Sequence, residues 1–255
     1  MILREVFEKT VSFLKDKKID TARLDAELLI SKALEIERLQ IYLKYEKPLS
    51  EIEVQTCREF VRRRGQGESV AYITKEKGFF GEVFTVGSGV LVPRPETELI
   101  VEKAIEFIKK NQIKNAKIVD LGAGTGCIGF SVLKNIEDAS LISVEKFQAA
   151  FEYLKTNQSQ LGLLSRSELI LKDVNDLKND LGSFDVVVAN PPYICRTDLN
   201  IETNVKKYEP EEALFAEENG YKEIFQWINT FSEKINKPGV LLFEIGFQQG
   251  ENVLN

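Results

Sequence analysis

The sequence predicts an α/β fold in which a parallel sheet, covered by helices on both faces, follows a small all-helical region. From residue 117 onwards, short β-branched runs alternate with amphipathic helical patterns, as in parallel sheets. The first of these runs, Lys117–Leu121, is followed by three glycines within five residues and then by a helical pattern. Before residue 70, apolar side chains recur at helical spacing instead.

The composition excludes several classes of function. The 255 residues carry a net charge of −6 and no histidine. We therefore expect no broad nucleic-acid-binding surface, no histidine-based catalysis and no mixed cysteine–histidine metal site. No apolar run reaches the roughly 18 residues that span a bilayer, and the acid-containing N-terminus does not resemble a signal peptide. Three widely spaced cysteines, Cys57, Cys127 and Cys195, favour a reducing cytoplasm over a disulfide framework.

The N-terminal region predicts a bundle of four helices. The helical patterns cover residues 3–14, 24–33, 38–45 and 50–64. Ser50, with Glu53 three residues later, predicts a capping box at the start of the fourth helix. The run Arg62–Arg64 near the end of that helix has two interpretations. It is a solvated helix terminus favoured by the helix dipole, or a patch that contacts RNA or an acidic partner.

Residues 71–92 predict a β-hairpin linker, because glycines separate short apolar runs. The predicted strands are 71–74, 79–81, 83–86 and 90–92. The stretch Pro93–Glu98 then opens a helix that runs to about Lys110, with Thr97 or a residue just before it as the N-cap. Two interpretations of this stretch stay open: a proline-stiffened linker, or a lid that brings polar and aromatic groups to a cleft.

Polar residues follow four predicted strands of the sheet, which cover residues 117–121, 140–145, 168–172 and 184–189 before a fifth at 239–245. Because ligands of parallel sheets bind beyond the carboxyl ends of the strands, these residues predict one site. They are Asp120 with Gly122, Glu145, Asp173 and Asn190.

The glycine turn and Glu145 favour a nucleotide-like cofactor. Glu145 ends its strand 19 residues after Gly126, where a carboxylate accepts hydrogen bonds from ribose hydroxyls. The turn matches the dinucleotide fingerprint Gly-x-Gly-x-x-Gly only loosely, which disfavours NAD. Asp120 and Asp173 are candidates to bind an amine or adenine. A cofactor with a cationic amino-acid tail matches this acid-rich cleft better than a pyrophosphate.

The stretch Asn190–Tyr193, with sequence Asn-Pro-Pro-Tyr, is suited to binding an amide or aromatic amine. The side-chain oxygen of Asn190 and the carbonyl of Pro191 can accept the two N–H bonds of such a nitrogen. The prolines stiffen the loop, and Tyr193 can stack on a planar group. Methyl transfer to this nitrogen requires no general base before the transfer, in agreement with the lack of histidine.

Eight stretches along the chain together resemble one known family. They are Ala71–Ile73, Phe80–Phe84, Val92–Glu98, Asp120–Ile128, Asn190–Ile194, Tyr208–Pro210, Ala213–Leu214 and Phe243–Gly246. This set is similar to the class I S-adenosylmethionine-dependent methyltransferases, specifically the release-factor glutamine N5-methyltransferases (the PrmC/HemK family). The resemblance implies methyl transfer from S-adenosylmethionine, with S-adenosylhomocysteine as product, to the glutamine of Gly-Gly-Gln in peptide-chain release factors.

The resemblance and the strand-end argument together assign roles to individual residues. Cofactor binding is expected from Asp120, Gly122, Ala123, Gly124, Thr125, Gly126, Glu145, Asp173, Val174 and Asn190. Catalytic roles are expected for Asn190, Pro191 and Tyr193, which bind the substrate glutamine together with Pro192.

The resemblance also implies three parts: a helical domain at 1–70 that recognises the substrate protein, a β-hairpin linker at 71–92, and a Rossmann-like methyltransferase domain at 93–255. The sequence departs from the family pattern at Ser69, Lys75, Val174 and 216–220. The family also continues some tens of residues past Gln249, so the last two strands of a seven-stranded sheet are expected to be missing.

The sequence leaves three alternatives to release-factor methylation open. The chain methylates a ribosomal-protein glutamine, or it methylates an exposed adenine in nucleic acid. The third is a non-catalytic module that binds the cofactor. The acidic net charge weighs against DNA as the substrate.

Overall fold

The computed structural model describes residues 1–177, 181–198 and 203–254, and for residue 203 the backbone alone. The chain forms two compact units, Met1–Glu76 and Lys77–Asn255. The predicted division into a helical domain, a hairpin linker and a methyltransferase domain, with boundaries at residues 70 and 92, stays a prediction. The roles assigned to these three parts also stay predictions.

The first unit is a bundle of helices around an apolar core. Its helices are α1 (Leu3–Asp16), α2 (Ala22–Ala33), α3 (Arg38–Leu43), α4 (Glu51–Gly65) and α5 (Val70–Thr74). Leu3, Leu14, Leu29, Ile30 and Ile41 are fully buried where these helices meet. Burial of one such side chain contributes roughly 1.5–3 kcal/mol, so this packing is the main source of stability in the unit.

Helix α4 begins with the predicted capping box. The backbone N–H of Glu53 donates to Ser50 Oγ over 3.2 Å, and the backbone N–H of Ser50 donates to Glu53 Oε2 over 2.7 Å. The hydrogen bond from Lys47, together with those from Ser50, lowers the pKa of Glu53 to about 2. This prediction is confirmed.

The arginine run at the end of α4 is paired within the first unit. Arg62 binds Glu59, Arg63 binds Glu68, and Arg64 binds Asp25 over 2.6 Å. The Arg64 pair is the most buried of the three, with the two side chains 18% and 7% exposed. These ion pairs favour a structural role for the run over an RNA-binding patch.

Helix α5 replaces a predicted strand. Residues 71–74 are helical because the Ser69 side chain accepts a hydrogen bond from the backbone N–H of Tyr72 and caps the helix. The expectation of a strand at 71–74, based on aromatic and β-branched residues, is wrong. The expectation at 90–92 is also wrong, since that segment forms no strand.

The hairpin itself is formed by β1 (Glu76–Phe79) and β2 (Glu82–Thr85). The two residues between the strands, Phe80 and Gly81, have φ of 49° and 82°. Two positive φ values define a tight hairpin turn whose twist matches that of the strands. The predicted strand at 79–81 is therefore a turn at its last two residues.

The second unit contains a five-stranded parallel sheet, which confirms the predicted fold class. The elements that follow the hairpin are α6 (Glu98–Lys110), β3 (Lys117–Leu121), α7 (Cys127–Asn135), β4 (Ser140–Glu145), α8 (Gln148–Gln160), β5 (Ser167–Leu171), β6 (Phe184–Ala189), β7 (Ile194–Cys195), α9 (Thr203–Tyr208), α10 (Glu211–Leu214), β8 (Phe215–Ala216), α11 (Lys222–Ser232), β9 (Ile235–Phe243) and α12 (Gly250–Leu254). The strand order is β5-β4-β3-β6-β9, with every neighbouring pair parallel.

Both faces of the sheet are buried, as parallel sheets require. Along β3 and β6, alternate residues point to opposite faces. Ile118 and Val186 belong to the core that includes α6 and α7, whereas Val119 and Val187 belong to the core with Phe231 of α11. No helix among the described residues is both long enough and apolar enough to cross a bilayer.

A fully buried asparagine on α8 joins the hairpin to the glycine turn. Asn157 Oδ1 accepts a hydrogen bond from the Thr85 N–H over 2.7 Å, and its Nδ2 donates to the carbonyls of Thr85 and Thr125 over 3.1 and 2.9 Å. One amide side chain thus satisfies three backbone groups in two other segments.

We expect Asn157→Ala to lower the free energy of unfolding by about 1–3 kcal/mol, because it leaves buried backbone groups unpaired. Gln160→Ala is the matched control, since Gln160 bonds the hydroxyl of the same Thr85 at an exposed site. Its effect should stay within about 0.5 kcal/mol. Urea unfolding of both variants measures the difference, and equal losses would contradict the assigned role.

Candidate active site

Two adjoining cavities lie beyond the carboxyl ends of the parallel strands. Each has a volume of about 410 Å³. The first is lined by residues that follow β3, β4, β5 and β6, and the second by the segment after β6 and by Glu244 after β9. Leu91, Arg94, Asn190 and Ala213 line both cavities, so the two spaces meet at these residues.

The glycine turn after β3 requires residues without side chains. Gly126 has φ of 80°, and a Cβ there would lie 2.3 Å from the ring of Phe130. Gly122 has φ of 67°, and a Cβ there would lie 3.0 Å from the ring of Trp227. Positive φ values and close packing therefore fix this turn as glycine-rich. Gly122 and Gly124 line the first cavity, together with Ala123 and Thr125.

Glu145 holds the turn in place from the end of β4. Its Oε2 accepts the backbone N–H of Gly124 over 2.9 Å, and its Oε1 accepts that of Phe147 over 2.8 Å. Burial raises the pKa of Glu145 against the effect of these hydrogen bonds. Because each oxygen of a carboxylate can accept more than one hydrogen bond, Glu145 retains acceptor capacity towards the cavity that it lines.

Asp173 and Val174 also line the first cavity, at the end of β5. The carboxylate of Asp173 accepts a hydrogen bond from Lys146 Nζ over 2.7 Å and from the backbone N–H of Asn175 over 2.9 Å. Burial opposes ionisation, yet these donors lower the pKa of Asp173. Asp173 is therefore already partnered by a lysine that also lines the cavity.

Asp120 lies behind the turn and does not line either cavity. Its Oδ2 accepts the backbone N–H of Gly129 over 3.0 Å, whereas Oδ1 is buried and has no partner among the described residues. Burial, with a smaller contribution from Glu145, raises the pKa of Asp120 to about 7. Gly126 and Pro191, also expected at the site, are absent from the described cavity walls as well.

Two residues of α11 line the first cavity without having been predicted. Trp227 Nε1 and Glu223 Oε2 are buried and have no hydrogen-bond partner among the described residues. Burial raises the pKa of Glu223. A possible sequence signal is an acid four residues before a tryptophan on an amphipathic helix, but this pattern by itself indicates only a packed helix.

The loop after β6 is held by a chain of hydrogen bonds. Asn190 Nδ2 donates to Thr97 Oγ1 over 3.3 Å, and Thr97 Oγ1 donates to Glu244 Oε2 over 2.6 Å. The hydroxyl of Tyr193 donates to the other oxygen of Glu244 over 3.0 Å. Burial, and then the negative charge of Glu244, raise the pKa of Tyr193 to about 12. Thr97 occupies the predicted N-cap position of α6, but its side chain makes no capping hydrogen bond to that helix.

The backbone of the same loop is fixed by a buried glutamine after β9. Gln249 Nε2 donates to the carbonyls of Tyr193 and Gly220, each over 3.2 Å, and its Oε1 accepts the N–H of Gly246 over 2.7 Å. Gly220, with φ of 89°, has no room for a Cβ, which would lie 2.2 Å from the Tyr193 carbonyl oxygen. The loop is therefore rigidly attached to the segment that follows β9.

The stretch Pro93–Glu98 forms part of the cavity wall. Arg94 donates to Glu209 Oε1 over 2.5 Å, and the same carboxylate accepts the backbone N–H of Val92 over 3.3 Å. Pro93, Arg94 and Thr97 line the first cavity. Of the two interpretations of this stretch, the structure favours the one in which it brings polar groups to a cleft.

The thiol of Cys127 and the acidic side chains form no further reactive group within the part of the chain that the structure describes. Burial raises the pKa of Cys127 to about 12, although this thiol lines the first cavity. Among the described residues, no three histidine, cysteine, aspartate or glutamate side chains are grouped so that they could hold a metal ion.

Two family models match the chain. The PrmC N-terminal domain covers residues 5–74, and the methyltransferase small domain covers residues 97–208. Similar solved structures include an SAM-dependent methyltransferase from Agrobacterium tumefaciens (TM-score 0.52, 14% identity, 70% of this chain and 56% of that one). Another is a 16S rRNA methyltransferase of T. thermophilus in complex with AdoMet and guanosine (TM-score 0.50, 19% identity, 70% and 43%). At these identities the likeness concerns the fold alone.

Curated sequence relatives have higher sequence identity to this chain than these solved structures do. The release factor glutamine methyltransferase of Chlorobaculum tepidum is 35% identical over 98% of this chain and 87% of its own length. That of Geobacter sulfurreducens is 34% identical over 99% and 87%. The family models and the sequence relatives define a methyltransferase, and the parallel sheet agrees with that class. The chain belongs to the release factor glutamine methyltransferase family.

The buried carboxyl of Asp120 predicts a pH-dependent stability. Between the ordinary pKa of 3.8 and about 7, the unfolded chain loses this proton before the folded chain does. The free energy of unfolding should therefore fall as the pH rises through this range, and the full penalty should persist above it. Asp120→Asn should remove the fall, so its stability relative to the wild type should increase from pH 4 to 7 and then level off.

Urea unfolding at a series of pH values tests this expectation. Asp138→Asn is the control, because Asp138 is an exposed carboxyl that accepts one backbone hydrogen bond from Asn115. A difference between Asp120→Asn and the wild type that is the same at pH 5 and pH 8 would contradict the assigned pKa.

Proposed function

We propose that this enzyme transfers a methyl group from S-adenosylmethionine to the side-chain amide nitrogen of the glutamine in the Gly-Gly-Gln motif of peptide-chain release factors. The observation that supports it most is the meeting of two cavities at Asn190. One cavity is built from strand ends and a glycine turn, and the other from the Asn-Pro-Pro-Tyr loop. Such an arrangement brings a methyl donor and an acceptor together at one side chain.

The first cavity fits a positively charged cofactor that contains a nucleoside. Glu145 has acceptor capacity for ribose hydroxyls, and Glu223 presents a buried oxygen that has no hydrogen-bond partner in the described part of the chain. Trp227 offers an aromatic wall against Gly122. Acids outnumber bases in the wall, with Glu145, Asp173, Glu212 and Glu223 facing Arg94 and Lys146. S-adenosylmethionine, when bound, supplies a methyl group activated by a positively charged sulfur.

The second cavity fits the planar amide of a glutamine. Asn190 Oδ1 has no hydrogen-bond donor among the described residues, so it can accept an N–H of the substrate amide. We assign the second N–H to the carbonyl of Pro191, on the ground of its position directly after Asn190, since Pro191 is absent from both described cavity walls. We assign the stacking surface to Tyr193 in the second cavity and to Pro192, which lines the first. Holding the nitrogen by its hydrogens orients its lone pair and stabilises the positive charge that develops on it. Orientation of this kind contributes up to roughly 7–11 kcal/mol in favourable systems.

The N-terminal helical region is proposed to recognise the release factor. Its match to the PrmC N-terminal domain, over residues 5–74, supports this role. Its three consecutive arginines are paired with acids, which makes the alternative of nucleic-acid binding through this run unfavourable.

The test of the function is methyl transfer from labelled S-adenosylmethionine to purified, unmodified release factor. We expect one methyl group on the glutamine of Gly-Gly-Gln, located by mass spectrometry. Release factor with this glutamine replaced by alanine is the control substrate and should receive no label. Transfer to a ribosomal-protein glutamine or to adenine instead, or cofactor binding without transfer, would reject the proposal.

Asn190→Ala should lower methyl transfer by roughly 100-fold or more, because it removes an acceptor aimed at the developing charge. Binding of S-adenosylmethionine, measured by calorimetry, should weaken much less. Asn111→Ala is the control, since Asn111 is an exposed asparagine at the end of α6. Full activity of Asn190→Ala would reject the role of Asn190.

A further inference from the structure

We infer that Thr97 and Glu244 are positioning residues, which fix the side-chain amide of Asn190 in the one orientation that turns its oxygen towards the substrate. The inference rests on the proposed function for its catalytic consequence. Neither residue was expected in this role, and the three residues come from segments that are 93 and 54 positions apart in the sequence.

The direction of the hydrogen bonds begins at Glu244. A carboxylate accepts hydrogen bonds and has none to donate. Its two oxygens are occupied by separate hydroxyls, Oε1 by that of Tyr193 over 3.0 Å and Oε2 by that of Thr97 over 2.6 Å. Both hydroxyls must therefore act as donors towards Glu244.

Because the Thr97 hydroxyl donates to Glu244, it can only accept a hydrogen bond from Asn190. A hydroxyl has a single hydrogen, and that of Thr97 points to Glu244, so its oxygen can only accept. The group of Asn190 that lies 3.3 Å away must then be the NH₂ group. A flipped amide would place two acceptor oxygens together without a hydrogen between them. Because Thr97 is only 1% exposed, solvent offers little compensation for that contact.

The backbone pairing of β6 and β9 positions the residues of this hydrogen-bond chain. Strands β6 and β9 pair up to Ala189 and Phe243, and the N–H of the next residue, Glu244, donates to the carbonyl of Ala189 over 3.0 Å. Ala189 and Phe243 are the last paired residues of the two strands. Asn190 directly follows Ala189, and Glu244 directly follows Phe243. Their relative position is set by the sheet.

Steady-state kinetics of Thr97→Val and Thr97→Ser test the inference. Valine keeps the shape of threonine without the hydroxyl, and we expect kcat to fall roughly 10-fold, the size of one lost hydrogen bond. Serine restores the hydroxyl and should keep kcat within about 3-fold of the wild type. An equal loss in both variants, or none in the valine variant, would overturn the inference.

A double variant separates positioning from a general structural effect. In an Asn190→Ala background there is no amide to orient, so adding Thr97→Val should lower the residual rate by less than about 2-fold. If the two effects instead multiply, Thr97 acts independently of Asn190 and the inference fails.

An activity-independent measurement distinguishes this inference from the proposed function. The side-chain NH₂ resonances of Asn190, assigned by their loss in Asn190→Ala, should exchange with water more slowly in the wild type and Thr97→Ser than in Thr97→Val. If the Asn190 resonances of the wild type exchange slowly but the wild type does not methylate release factor, the proposed substrate is rejected and the positioning role is retained. Equal exchange in all three proteins would overturn the positioning role even if the wild type is active.

Discussion

The parallel pairing of β3 with β4 and β6 is the constraint on which the rest of the site depends. Because these strands run in the same direction, their carboxyl ends meet at one edge of the sheet. Residues that are far apart in the sequence, such as Gly122, Glu145 and Asn190, therefore line one connected space. The glycine turn, the buried carboxylate and the loop at Asn190 each follow a strand, and the sheet sets their positions relative to one another.

The sequence is informative wherever structure is local. The strand-to-turn pattern at Lys117–Leu121, the carboxylate at Glu145 and the capping box at Ser50 depend on neighbouring residues, and each was predicted in its place. Local pattern was insufficient at residues 71–74, where the Ser69 cap determines a helix against the β propensity of the segment. It was also insufficient for Asp120, whose strand-end position suggested a ligand, although its side chain lies behind the turn.

Contacts between distant segments account for the part of the site that sequence could not provide. Trp227 and Glu223 have the sequence pattern of a packed helix, and only the fold places their buried polar atoms, which have no partner within residues 1–177, 181–198 and 203–254, at the cavity. Thr97 illustrates the same limit, because its position predicted a helix cap while its hydroxyl binds Glu244. A hydrogen bond between residues 147 positions apart has no signature in a single sequence.

The attachment of the loop at Asn190–Tyr193 to Gln249 has a consequence for the order in which the chain matures. A protein is synthesised from its N-terminus, and its early segments begin to fold before the later ones exist. The glycine turn packs against Trp227 of α11, which is made about 100 residues later, and the loop at Asn190 waits further for β9 and for Gln249. A nascent chain of this enzyme therefore completes the first cavity only after α11 has been made, and the second only after β9 and Gln249 have followed.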